Sequence, residues 1–132
     1  MDALTKIRAK INDFPGYGSE TDIARSDEET RAYVGESLAA LQERLGADAV
    51  AQALDPLIQR SAFANQQILA SLERPDIHPG SEIAIDEADL VLLDLADTAA
   101  SVDSEQVPEY VAKVTAAFDA RDAALTGLKP RT

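Results

Sequence analysis

The chain has 132 residues, of which 45% are hydrophobic and 27% charged, with no cysteine and a formal net charge of −12 at pH 7. That apolar fraction is too high for intrinsic disorder, and the length suits a single helical domain spanning 1–132 around one core. The lack of cysteine excludes disulfides and thiol chemistry, while the acidity argues against nucleic acid and anionic membranes, which both require a basic face.

Alanine, the best helix former, occupies 24 positions and favours close-packed helices. The opening MDALTKIRAK lacks the apolar run of a secretory leader, and no apolar run approaches the length of a membrane span, so a cytoplasmic location is expected.

Leu4, Ile7, Ile11 and Phe14 recur at three- and four-residue spacing and predict a first helix over 3–14, stopped by Pro15 and Gly16. In the turn-rich stretch that follows, Ser19 and Ser26 both suit a helix N-cap, Ser26 having Glu29 three residues later. Ile23, Thr30, Val34, Leu38, Leu41 and Leu45 give a second helix over 20–45, closed by Gly46. A third helix is expected over 48–74, with Leu54, Leu57, Ile58, Ile68 and Leu72 on its apolar face, and the Asp55-Pro56 pair either kinks it near Pro56 or divides it into two helices. The segment ERPDIHPGS reads as a loop before a fourth helix over 86–102. A last helix over 104–126 takes Pro108 in its first turn and turns Val107, Val111, Val114, Phe118 and Leu125 inward. The expected architecture is all-α, an antiparallel four-helix-bundle-like domain with a short additional N-terminal helix.

The fourth helix lies within a span, Pro75 to Ala112, that holds ten carboxylates and no lysine or arginine. At 100° per residue, Ala88, Val91, Leu92, Leu95, Ala99 and Val102 fall on one side, with Asp86, Glu87, Asp94 and Asp97 opposite. Leu90 and Leu93 point to the acidic side. Either the first helix covers them, with Lys6, Arg8 and Lys10 meeting the acids, or they are anchors for another chain. Asp86, Glu87 and Asp89, and likewise Asp27, Glu28 and Glu29, are expected in first helical turns, where the dipole favours negative charge. Asp94 and Asp97 are left as a pair able to hold a divalent cation weakly. Phe63, facing away from the stripe of its own helix, is a further association candidate.

Catalytic motifs do not assemble. No ExxH pair for a di-metal site occurs, and the single histidine, His78, sits in a loop without a nucleophile elbow. DEAD at 86–89 lacks the phosphate loop that gives a helicase box its meaning, and no metal site or cofactor is expected. Two polar residues interrupt apolar stripes, Asn65 and Arg121, and each needs a partner if buried. They set helix register or pair with carboxylates at the bundle edge, or with Tyr110 they line a small cavity for an anionic ligand. The sequence therefore leads to a non-catalytic interaction protein. Phe63, Leu90, Leu93, Asp94 and Asp97 would meet a partner with a basic surface, or a second copy in a homodimer. Binding of a small anion or a divalent cation is the alternative.

Overall fold

The computed structural model describes residues 2–46, 50–64 and 79–128. Among these residues the protein is an all-α helical bundle with five α-helices and no strand: α1 (Ala3–Lys10), α2 (Glu20–Leu45), α3 (Asp55–Ala62), α4 (Pro79–Thr98) and α5 (Val107–Thr126). Short 3-10 turns at Ala51–Leu54, Ala99–Ser101 and Ser104–Gln106 join them.

Local chemistry explains most boundaries. Asp2 caps α1 by accepting from the Thr5 amide at 2.9 Å, and Ser19 caps α2 by accepting from the Asp22 amide at 3.3 Å. Gly46, at φ 77°, closes α2 in a conformation that a side chain would strain. Asp103 and Gln106 exchange side-chain-to-backbone hydrogen bonds at 3.2 and 3.0 Å before α5, whose Pro108 lies in the first turn as expected.

Several expectations change. α1 ends at Lys10 rather than 14, because Asp13 takes φ 62° and turns the chain, although Phe14 still enters the core. Ser26 is not a cap: it is buried inside α2, and its hydroxyl donates to the carbonyl of Gly16, tying the preceding turn to the helix. The third helix, by contrast, takes the divided form of its two readings, with a 3-10 turn first and α3 starting at the Asp55-Pro56 pair; its expected continuation to 74 lies outside the described residues. α4 begins at Pro79, about two turns before 86, so Asp86, Glu87 and Asp89 sit beyond the reach of the helix dipole. Asp27, Glu28 and Glu29 are likewise past the first turn of α2.

The core forms where α2, α4 and α5 converge. The α2 stripe is buried at Ile23, Thr30, Val34, Leu38 and Leu41, and α5 contributes Val107, Val114, Phe118 and Leu125. α4 packs against α1, α2 and α5 together, so more than half of its circumference is covered. Its buried positions are Ile85, Asp86, Asp89, Leu92, Leu93 and Ala96, whereas Val91 is 55% exposed. The expected inward face is therefore rotated. A single-sided amphipathic scheme fails for a helix with neighbours on three sides.

α3 approaches α2 closely at Gly35. A Cβ at that position would stand 2.6 Å from Ser61 Oγ, which donates to the Ile58 carbonyl at 2.7 Å. Gly35→Ala is expected to lower stability by about 1 kcal/mol in urea denaturation, the overlap outweighing the better helix propensity of alanine. In a Ser61→Ala background, the same substitution should become neutral or stabilising.

Candidate functional site

Arg121 occupies the α5 stripe between Phe118 and Leu125 and is 2% exposed. Its Nε donates to Asp89 Oδ1 of α4 at 2.9 Å, its Nη1 reaches Asp27 Oδ1 of α2 at 2.5 Å, and its Nη2 donates to the Tyr17 hydroxyl at 3.3 Å. Tyr17 in turn donates to Asp89 Oδ2, where Thr30 Oγ1 also donates at 3.2 Å. Arg31 donates to Asp27 Oδ2 at 2.9 Å and to the Ser61 carbonyl at 3.1 Å. One guanidinium thus joins α5, α4, α2 and the turn after α1 at a point where Asp89, Thr30 and Tyr17 are each 0% exposed.

Burial dominates the electrostatics of this cluster. It raises the Asp89 pKa against the pull of Arg121, and with the Asp89 charge it raises that of Tyr17, which stays a neutral donor. Burial also opposes the charge on Arg121, but the surrounding Tyr17, Asp89 and Asp27 outweigh it and raise its pKa. Two arginines, Arg121 and Arg31, balance two carboxylates, Asp27 and Asp89. Fully paired charges of this kind hold a unique arrangement, whereas loss of one partner strands the others.

A cavity of about 210 Å³ opens beside the cluster, lined by Arg31, Arg60, Phe63, Phe118, Arg121 and Asp122. Arg60 lies over the Phe118 ring at 4.9 Å and pairs with Asp119 and Asp122 at 2.9 Å each. Each of the three guanidiniums here already has a carboxylate, and the four acids involved outnumber them. An incoming anion would have to displace one. Phe63, at the end of α3, is 75% exposed at this cavity. Asn65 lies outside the described residues. Tyr110 is not part of the Arg121 cluster: it lies eleven residues away along α5, about 16 Å, and its hydroxyl donates to the Leu95 carbonyl at 2.6 Å.

Of the two readings of Leu90 and Leu93, cover by the first helix matches the structure: Leu93 is 0% exposed and Leu90 is half-buried against the core. The reason is α1, a short helix bearing Lys6, Arg8 and Lys10 that packs on α4. Lys10 reaches Asp94 at 3.2 Å and also Asp97, which accepts from the Tyr33 hydroxyl as well. Asp94 and Asp97 are thus bridged by an ammonium from the same chain. Asp86, Leu90, Leu93 and Asp97 recur at helical spacing along this covered flank.

The other flank is open. Ile83 and Val91 are 58% and 55% exposed, with Ala84 and Glu87 exposed between them. Val91 leads through half-buried Leu95 to a groove of about 290 Å³ between α4 and α5, whose walls include Thr98, Val102, Glu109 and Tyr110. Among the described residues, no group of three or more His, Cys, Asp or Glu side chains could hold a metal ion, and no helix is long and apolar enough to cross a membrane.

Compared with known proteins, the chain matches no family model, no curated protein and no solved structure.

The sequence signals the ionic cluster only at Arg121. Its partners were legible in hindsight: Asp27 and Thr30 fall between Ile23 and Val34, and Asp89 between Ile85 and Leu92, each on an apolar stripe. Arg121→Ala leaves Asp27 and Asp89 buried without their counter-ion and is expected to cost about 3–5 kcal/mol in urea denaturation at neutral pH. The deficit should shrink on acidification, as a proton replaces the lost guanidinium on Asp89.

Proposed function

We propose that the protein is a non-catalytic interaction module that receives a basic amphipathic helix of another protein on the open flank of α4. The observation that carries this reading is Val91, which stands 55% exposed beside exposed Glu87 and runs by way of Leu95 into the α4/α5 groove. An aliphatic side chain leading into a groove, with exposed Glu87 beside it and Glu109, paired with Lys113 at 3.3 Å, on the groove wall, offers an apolar anchor point with carboxylates at its edge.

The opposite flank supplies the template for such a partner. There α1, carrying Lys6, Arg8 and Lys10 on one helix with Ile7, lies on α4 with its lysine between Asp94 and Asp97. A second helix of the same chemistry would set an apolar side chain on Val91 and a basic one on Glu87. A second copy of this chain fits less well, because two molecules of net charge −12 would bring like-charged rims together. Light scattering is therefore expected to report a monomer.

The probe is a labelled leucine–lysine amphipathic peptide, titrated by fluorescence anisotropy across a salt series. Binding should weaken as salt rises, and Val91→Asp should weaken it at least about tenfold, equivalent to about 1.4 kcal/mol. This substitution adds a negative charge, so purely electrostatic attraction would hold or strengthen. Unchanged or tighter binding by the variant rejects the reading.

A further inference from the structure

Asp86 lies on the flank of α4 that α1 covers and is 7% exposed, yet its Oδ1 has no hydrogen-bond partner. The charges around it are mostly of its own sign: Asp89 and Glu82 on α4, and Asp2 at the start of α1. Arg8 of α1 is the opposing charge, but its guanidinium donates to the Phe14 carbonyl at 2.8 Å and the Pro15 carbonyl at 3.5 Å. Behind Asp89, the Tyr17 hydroxyl and Arg121 are already committed to that carboxylate. An ionised Asp86 is therefore a buried anion among anions, whereas the neutral acid avoids the cost of burying that charge.

The element packed over it is weakly held. α1 has eight residues, with Ile7 its one buried side chain, and elements with so little buried surface open before the rest of a fold does.

We propose that Asp86 is a proton-operated latch for α1: with its proton it lets α1 close over α4, and without it α1 loosens and uncovers the strip of Leu90 and Leu93. This inference does not rest on the open flank of α4.

Burial, then repulsion from Asp89, Glu82 and Asp2, raises the Asp86 pKa to about 7. In an unfolded chain the same group titrates near about 4. The closed form thus holds the proton more tightly, and it loses ground as pH rises from about 4 to about 7, then stays level. Asp97 acts in the opposite sense. Burial works against its charge, but hydrogen bonds from Lys10 and Tyr33 outweigh burial and lower its pKa, so its contribution fails in acid. α1 is therefore held best in mildly acidic solution.

The test is an NMR titration of the full chain that follows the Asp86 carboxyl carbon and the amides of residues 3–10. In the wild type, the α1 amides should shift with the same midpoint as the carboxyl, near neutral pH. In Asp86→Asn they should stay flat at the position of the low-pH wild type. His78→Gln removes the only histidine and should leave the response intact. A carboxyl midpoint below about pH 5, α1 amides indifferent to that midpoint, or loss of the response in His78→Gln overturns the latch. The wild-type titration decides alone if Asp86→Asn does not fold.

Discussion

The guanidinium of Arg121, shared between Asp89 and Asp27, is the contact around which the bundle is organised. Its long side chain carries a charge from α5 across the core to α4 and α2, and the hydrogen bond to Tyr17 draws in the turn after α1. Hydrophobic burial supplies most of the driving force, but it is non-directional and would tolerate sliding or rotation of these helices. The ion pairs do not tolerate it. Rotating α4 so that Val91 faced inward, as a simple amphipathic wheel suggests, would take Asp89 away from Arg121 and leave both without a partner.

That constraint settles what α4 offers on each side. With Asp89 fixed inward, Asp86, Leu90 and Leu93 fall on the flank that α1 covers, and Ile83, Glu87 and Val91 fall outside. The acidic surplus of the chain is thus used in two ways. Some carboxylates are neutralised internally by Arg121, Arg31, Arg60 and Lys10, while others, such as Glu87, face water. The arginines beside Phe118 likewise belong to the scaffold, because their charges are spent on Asp27, Asp119 and Asp122.

Much of the fold was legible from periodicity. The α2 stripe from Ile23 to Leu41 is buried as its spacing implies, because that helix meets the core along one continuous line. α4 was not legible in this way, since three neighbours leave a narrow open arc and period alone cannot say which arc that is. Pro79 and Gly80 read as loop by composition, yet a proline in the first helical turn costs little, so the helix starts at Pro79 rather than 86. Arg121 could be singled out as a polar residue in a stripe, but its partners lie 32 and 94 residues away in sequence, beyond the reach of local pattern. Sequence also leaves Leu90 and Leu93 open between cover by the first helix and an anchor for another chain, because whether a short basic helix folds back over an acidic one is a tertiary fact.

The link between α1 and the bundle has its own kinetic and thermodynamic meaning. α1 ends at Lys10 and α2 starts at Glu20, so residues 11–19 tie the covering helix to the bundle whose α4 it covers. A tether of that length holds the occupant at an effective concentration of about millimolar or above. Any free helix competing for the Leu90 and Leu93 strip must overcome that local excess. Occupancy of this flank from outside would then require a high concentration of the competing helix, several linked segments, or prior detachment of α1.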